Sequence, residues 1–376
     1  MISTEPSRIP SLDGIRAIAA LMVMFFHFVG HHGEPGRVVQ AFVIGQTGVD
    51  LFFVLSGLLI TRILLLSKES PHYFRSFYGR RVLRIFPLYY AFLAIYFFVL
   101  PHLLATPVPP LHTQMWSWLY LENVPRTFTA LTTSGPDHFW SLAVEEQFYL
   151  VWPLLVFVLS RRRFQHVLTA TLVLSPLLRL LFLHGGIGVF YFTLTRLDAL
   201  GYGAVLAMLL TSKESVSRRQ IWIFRVLAAG LAIAMIPAFV VFSGSGLAWL
   251  QALKLSLIPA FYFAVIGFCI FDPLARRVTG LLSNRLLRWL GGISYGLYVF
   301  HPTCFMLVRR VASPHSLILD LVLSFGVTIA VAFVSFRYFE SPLLRLKRYF
   351  RYEMAVQRSP HSAVLLAEGP AAAPAE

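Results

Sequence analysis

The sequence is poor in charged residues and in cysteine, and each scarcity excludes a class of protein. Only 13% of its 376 residues are charged, whereas soluble domains carry roughly 25%, and 57% are hydrophobic. The two cysteines, Cys269 and Cys304, both fall within apolar stretches, so no disulfide framework is predicted. These features exclude ordinary soluble domains and disulfide-rich scaffolds, and they indicate a membrane protein.

Acidic residues are also scarce, since 17 Asp and Glu stand against 32 Lys and Arg and leave a net charge of +15. In a soluble protein this excess would suggest nucleic-acid binding. Here the basic residues lie between apolar segments and concentrate in alternate connections, as the positive-inside rule describes. The distribution predicts no nucleic-acid partner and places both termini in the cytoplasm.

Several familiar catalytic motifs are missing as well. The sequence has no Gly-rich phosphate loop with its lysine, no H-E-x-x-H metal motif and no G-x-S-x-G nucleophile elbow. We therefore expect neither a metal site nor a permanently bound cofactor.

Long apolar runs dominate what is present. A helix that crosses a hydrocarbon core of about 30 Å needs about 20 mostly apolar residues. By this rule the chain divides into about ten spans, near residues 13–30, 47–66, 84–101, 139–159, 165–183, 188–211, 221–242, 249–271, 290–308 and 317–338. The predicted fold class is all-α: a polytopic transmembrane bundle of about ten helices over residues 1–345, followed by a cytoplasmic tail over 346–376, first basic and then disordered.

Ionisable residues within membrane spans are costly and are therefore functional candidates. Arg16 and His27 share the first span, eleven residues apart, which returns to within about 20° of the same helix face and extends about 16 Å along it. A phosphate-bearing donor could be held at Arg16 while its reactive end reaches His27. Alternatively, Arg16 extends to the membrane interface and His27 is a hydrogen-bonded bundle histidine.

The fourth span carries two adjacent carboxyl groups, Glu145 and Glu146. A carboxylate near His27 would orient the imidazole and stabilise its protonated form, as general-base catalysis on a hydroxyl requires. We therefore assign His27, Glu145 and Glu146 as the catalytic candidates. Alternatively, the two glutamates form a structural pair with Arg196.

Three arginines precede and begin the third span: Arg80, Arg81 and Arg84. Arg81 and Arg84 lie on one helical face, which suits contacts with phosphate oxygens, so these three and Arg16 are the donor-binding candidates. The positive-inside rule alone would place such a cluster here as well.

Further cavity candidates lie in other spans. Arg196 and Asp198 are too close in sequence to face each other, so each should have a partner on another helix. His301 precedes Pro302, where it could serve a cavity or satisfy the carbonyl group that the proline frees. Small residues between Gly48 and Gly57 suit close helix packing. The full set of these candidates is Asp50, Arg196, Asp198, Tyr295 and His301.

Taken together, these segments resemble the acyltransferase 3 family of membrane acyltransferases over residues 8 to about 345. The resemblance rests on Leu12-Asp-Gly-Ile-Arg16 with His27, Gly48-Val-Asp-Leu-Phe-Phe-Val-Leu-Ser-Gly57, Arg80-Arg-Val-Leu-Arg-Ile-Phe-Pro87, Trp140-Ser-Leu-Ala-Val-Glu-Glu-Gln-Phe-Tyr149, Arg196-Leu-Asp198, and Ser294-Tyr-Gly-Leu-Tyr298 with His301. It implies acyl-coenzyme A as donor and activity linked to Arg16, His27 and the pair Arg81 and Arg84. Ala17 and Ala143 depart from the glycine and serine common in relatives, and we expect neither change to abolish the chemistry.

The expected function is that of a multi-pass O-acyltransferase of the bacterial inner membrane, with acetyl as the expected acyl group. Its partners would be acyl-coenzyme A, a glycan or glycolipid acceptor, and membrane lipids. Three alternatives stay open: acylation of a small metabolite such as a macrolide, secondary transport, and a noncatalytic role beside a glycan exporter. Direct transfer and an acyl-histidine relay are equally compatible with the sequence.

Overall fold

The computed structural model describes residues 8–30, 43–128, 131–240, 248–313 and 315–352. Helices are the only regular secondary structure in these ranges. The longest ones are α1 (Pro10–Gly30), α2 (Gly48–Leu66), α3 (Tyr73–Ala94), α4 (Trp140–Val158), α5 (Arg161–His184), α6 (Leu197–Leu210), α7 (Arg218–Val240), α8 (Ala248–Phe271), α9 (Ser294–Ala312) and α10 (Leu317–Ser335).

The predicted all-α membrane fold is confirmed. Within the described ranges, eight helical stretches are long and apolar enough to cross a membrane. They contain every one of the long helices except α7 and α9. A bundle of about ten spans with cytoplasmic termini stays a prediction.

Shorter helical elements connect the long helices. The α3–α4 connection holds Leu100–Leu104, Leu111–Trp118 and Asn123–Thr127, and the α8–α9 connection holds Arg276–Leu282 and Arg285–Gly292. Short 3₁₀ turns occupy Val43–Thr47, Asp137–Phe139, Thr193–Arg196, Pro273–Ala275 and Leu346–Tyr349. Two π-helical segments, Ile95–Val99 and Phe336–Glu340, extend α3 and α10, and Ser341–Arg345 follows the second.

Glycines allow α2 and α6 to pack backbone against backbone. A Cβ atom at Gly57 would lie 1.9 Å from the carbonyl oxygen of Leu200, and one at Gly203 would lie 2.0 Å from that of Val54. These distances leave no room for any side chain. The predicted close packing between Gly48 and Gly57 is therefore present: Gly57 packs against α6, and Gly48 packs against Ala19 of α1.

The beginning of the predicted tail packs against α3. The Ser76 hydroxyl donates to the Arg351 carbonyl at 2.8 Å, and Tyr352 is buried. The predicted disordered end lies outside the described residues, which stop at residue 352.

Candidate active site

One cavity in the bundle is lined by three guanidinium groups and two carboxyl groups, and we call it the arginine cavity. Helices α1, α2, α3, α4 and α9 all contribute to its wall. Its lining includes Arg16, Val49, Phe53, Ser56, Arg81, Arg84, Ser141, Glu145, Glu146, Tyr149, Tyr295 and Tyr298.

The cations of the arginine cavity come from two helices. Arg81 and Arg84 line it together, as their spacing predicts, and Arg16 joins them from α1. The Arg81 guanidinium lies 5.1 Å from the centre of the Tyr149 ring. Arg84 and Arg81 are both close enough to act electrostatically on Arg16. Three guanidinium groups at one cavity suit an anion with several negative groups, and the two carboxyl groups that share the lining reduce its net positive charge.

Arg80, the fourth predicted donor ligand, lies outside this lining. Its guanidinium group faces the C-terminal segment, 3.5 Å from the Phe350 carbonyl oxygen and 5.4 Å from the centre of the Tyr352 ring. Neighbouring helical residues point about 100° apart, so Arg80 and Arg81 cannot share a face. Tyr295 does line the cavity, and its hydroxyl donates to the Ile85 carbonyl at 3.0 Å.

The structure places the predicted catalytic carboxyl groups and His27 in the linings of two different cavities. Glu145 and Glu146 line the arginine cavity, where Glu145 accepts a hydrogen bond of 2.6 Å from Ser56, whereas His27 lines a different cavity. The alternative pairing with Arg196 is wrong, because Arg196 pairs with Asp50 at 2.5 Å. Arg196 pairs with Asp50 because the close packing of α2 and α6 brings Asp50 to the turn before α6, where Arg196 lies.

The second cavity contains His27 and we call it the histidine cavity. Its wall combines imidazole groups, other aromatic rings and polar side chains. Its lining comprises Val23, Phe26, His27, Gln46, Val49, Arg126, Asp137, His138, Trp140, Phe190, Tyr191 and Tyr298. The sequence reasoning missed His138 as a site residue, although it stands just before the Trp140 segment that carries part of the family resemblance.

Three histidine rings meet beside this cavity. The ring centre of His301 lies 4.9 Å from that of His27 and 5.0 Å from that of His138, while His27 and His138 are 6.3 Å apart. His301 is fully buried, and its Nε2 lies 3.2 Å from Nδ1 of His27. Among the described residues no set of side chains is arranged to hold a metal ion.

The two cavities have Val49 and Tyr298 in common in their linings. The Tyr298 hydroxyl donates to the His138 carbonyl at 2.7 Å and lies 2.5 Å from the Ser141 hydroxyl. Helix α1 runs past both spaces and contributes Arg16 to one and His27 to the other. The two cavities are therefore neighbours along α1, with Val49 and Tyr298 in contact with both.

A buried polar network fixes one edge of the histidine cavity. Glu122 is fully buried and accepts hydrogen bonds from Arg126 at 3.0 Å and Thr133 at 3.1 Å. Arg126 also binds Asp137 at 2.7 Å. Burial alone would lower the pKa of Arg126, but the two carboxylates outweigh it and raise the pKa above its ordinary value. Arg126 therefore stays charged beside the cavity.

Two buried ion pairs lie behind the cavity walls. Asp50 with Arg196 and Asp198 with Arg179 each have an N to O distance of 2.5 Å. The Arg196 guanidinium lies 5.1 Å from the ring of Phe190, which lines the histidine cavity. The prediction of interhelical partners for Arg196 and Asp198 is thus confirmed. Arg179 was missed, although a charge inside an apolar span is the signal that selected the others.

Comparisons of the sequence with known proteins identify its relatives. The sequence profile of a family described as an acyltransferase domain matches residues 9–337. The chain is 31% identical over 362 residues to the putative peptidoglycan O-acetyltransferase YrhL of Bacillus subtilis, covering 89% of this chain and 55% of that protein. It is 29% identical over 359 residues to the peptidoglycan O-acetyltransferase OatA of Listeria monocytogenes, covering 89% of this chain and 56% of that protein.

A third relative is the O-acetyltransferase OatA of Staphylococcus aureus, 26% identical over 371 residues, covering 90% of this chain and 58% of that protein. The chain thus spans little more than half the length of these relatives. No solved structure matches it.

Proposed function

The chain belongs to the acyltransferase 3 family, whose enzymes transfer acyl groups other than aminoacyl groups, and on that premise we propose that it moves an acetyl group from acyl-coenzyme A to a glycan hydroxyl. We place it as a multi-pass protein of the bacterial inner membrane. The observation that carries the proposal is the pair of cavities on α1, one with three cations and one with His27, which meet at Val49 and Tyr298.

The donor's phosphate groups are assigned to the arginine cavity. Arg16, Arg81 and Arg84 supply guanidinium groups, which bind phosphate oxygens through paired, charge-assisted hydrogen bonds. The uncharged pantetheine arm is assigned to the path from this cavity along Val49 and Tyr298 toward His27. Glu145 and Glu146 belong to the donor side in this scheme and do not assist His27.

The transfer itself is assigned to His27. Its imidazole takes the proton of the acceptor hydroxyl as the oxygen attacks the thioester carbonyl carbon. The new C–O bond forms, the C–S bond breaks, and the departing thiolate of coenzyme A takes the proton back from the imidazolium. The ester product and free coenzyme A then balance the reaction without any further reactant.

The acceptor is assigned to the histidine cavity. Trp140 packs edge-on against Tyr191 with ring centres 5.1 Å apart, and Gln46, Arg126 and Asp137 supply polar atoms at the same wall. Aromatic faces beside hydrogen-bonding groups suit a sugar ring, which has apolar faces and a polar rim. The names of the relatives, two of which are peptidoglycan O-acetyltransferases, favour a glycan over a macrolide.

The proposal is tested by the release of coenzyme A from acetyl-coenzyme A by the purified protein in liposomes, with and without a peptidoglycan fragment. We expect release that needs the fragment and falls about 100-fold or more in His27→Gln, because the general base is lost. His184→Gln is the matched control, since His184 is exposed at the end of α5 and its Nδ1 contacts only the Leu180 carbonyl, at 2.7 Å, among the contacts found.

Two results would contradict the proposal. One is a folded wild-type protein that releases no coenzyme A with any acceptor supplied, and the other is a His27→Gln variant as active as the control. Movement of a substrate across the liposome membrane without coenzyme A release would instead support the transporter alternative.

A further inference from the structure

The hydrogen bonds around His27 fix the position of its proton. Nδ1 of His27 lies 2.9 Å from the Val23 carbonyl oxygen, and Nδ1 of His301 lies 2.8 Å from that of Tyr298. A carbonyl oxygen only accepts, so both Nδ1 atoms must carry hydrogen. In the neutral rings Nε2 therefore holds the lone pair. The Nδ1–H of His27 also faces Nε2 of His301 at 3.2 Å, which is then an acceptor.

His301 also completes the hydrogen bonding of its own helix, α9. Pro302 has no backbone N–H, so the carbonyl group of Tyr298, four residues earlier in α9, lacks its ordinary helical donor. Nδ1–H of His301 takes the place of that donor. The same contact holds the ring so that its other nitrogen, Nε2, meets His27 on α1.

We propose that His301 is a positioning residue for the acyl transfer, which rests on the proposed function of His27. Nε2 of His301 accepts from Nδ1–H of His27 beside the Val23 carbonyl, and the two contacts together hold the His27 ring so that the lone pair of its Nε2 is the base for the acceptor hydroxyl. When His27 becomes an imidazolium, its Nδ1–H stays hydrogen-bonded to the Val23 carbonyl and to Nε2 of His301. A second histidine thus performs the task that the sequence reasoning gave to a carboxylate.

Replacing Pro302 allows the two contacts of His301 to be tested separately. One is its hydrogen bond to the Tyr298 carbonyl within α9, and the other is its contact with His27 on α1. Pro302→Ala restores a backbone N–H for the Tyr298 carbonyl, so position 301 is no longer needed to satisfy it. On this background we compare His, Gln and Leu at position 301 in the full chain. Gln can place an acceptor oxygen near the position of Nε2, whereas Leu fills similar space with no acceptor.

Three readouts are taken for each variant: kcat with peptidoglycan fragment, KM for acetyl-coenzyme A, and the melting temperature. The reference protein is Pro302→Ala with His301 intact. We expect the Pro302→Ala, His301→Leu protein to have the same melting temperature and the same KM for acetyl-coenzyme A as this reference, while its kcat is about 100-fold lower. With His301→Gln on the same background we expect recovery of kcat to within about tenfold of the background enzyme, as a replaced acceptor requires.

A fourth readout does not depend on turnover. ¹⁵N spectra of histidine-labelled protein in nanodiscs, with the His27 signals identified by their loss in His27→Gln, report which ring nitrogen is protonated. We expect the Nδ1–H form in the wild type and in the Leu variant, because the Val23 carbonyl accepts in both, and a changed ¹⁵N chemical shift of His27 Nδ1 in the Leu variant, because Nε2 of His301 no longer accepts from it. This measurement tests the positioning even if no coenzyme A release is found.

The proposal is overturned if the Leu variant keeps the kcat of its background, if its loss of kcat only follows a loss of melting temperature, or if wild-type His27 is protonated at Nε2. An active wild type with an unaffected Leu variant would refute the positioning role alone. Absence of coenzyme A release together with the expected change in the Nδ1 chemical shift would refute the acyl transfer alone.

Discussion

At the scale of single residues, the charged side chains within the bundle are of two kinds. Arg179 and Arg196 are buried and paired with Asp198 and Asp50, so their charges are neutralised inside the bundle. Arg16, Arg81 and Arg84 instead line one cavity together with Glu145 and Glu146. Guanidinium groups that line a cavity can reach a ligand, whereas those buried in ion pairs cannot, so the arginines of the cavity are the ones expected to bind the donor.

This distinction gives a prediction for donor binding. Arg81→Gln removes charge-assisted hydrogen bonds worth about 1.5–3 kcal/mol, so KM for acetyl-coenzyme A should rise about 10- to 100-fold with a smaller change in kcat. The control is Arg75→Gln on the same helix, since Arg75 is exposed and faces the Phe350 ring at 5.8 Å. Equal KM values for the two variants would refute the assignment of the arginine cavity to the donor.

The sequence could identify most of these residues but not their partners. The cost of charge at membrane depth selects Arg16, His27 and Arg196, and helix spacing places Arg81 and Arg84 together. The sequence could not show which cavity Glu145 lines, because this depends on the rotation of each helix about its own axis in the packed bundle. Only the packed bundle shows that Glu145 accepts a hydrogen bond from Ser56 and lines a different cavity from His27.

At the scale of secondary-structure elements, the position of the ion pairs depends on how closely α2 and α6 approach. Gly57 and Gly203 let each backbone contact the other, and this contact brings Asp50 to Arg196. A small-residue face on α2 could be predicted from the sequence between Gly48 and Gly57. Its partner helix could not, because many helices in an apolar bundle offer small residues.

Substitution of one glycine should therefore separate the two helices. In Gly203→Ala the new Cβ would lie 2.0 Å from the Val54 carbonyl oxygen, so the backbones must move apart, and we expect a destabilisation of about 1–3 kcal/mol. Gly230→Ala on α7 is the control, because nothing lies within 4 Å of its Cβ position. There the added methyl group should leave stability unchanged or raise it by up to about 1 kcal/mol.

Thermal unfolding in detergent, followed by circular dichroism, measures both variants. A Gly203→Ala protein as stable as Gly230→Ala would show that α2 and α6 do not pack in this way.

At the scale of the whole molecule, the bundle holds two chemically different spaces back to back. The arginine cavity suits an anionic donor, and the histidine cavity suits a hydroxyl acceptor held by aromatic rings. The first span carries a residue of each, and the excess of basic residues in alternate connections predicts a cytoplasmic position for the arginine end. In the proposed function, the donor and the acceptor therefore approach from opposite sides of the membrane.

The transfer of an acetyl group from a donor on one side of the membrane to an acceptor on the other can be measured directly. Protein is reconstituted into liposomes that enclose a peptidoglycan fragment, radiolabelled acetyl-coenzyme A is added outside, and labelled fragment is measured inside. We predict that the enclosed fragment becomes acetylated by the wild type, while liposomes with His27→Gln show only the background of leakage. Labelled product that forms only when donor and acceptor share one side would contradict the account.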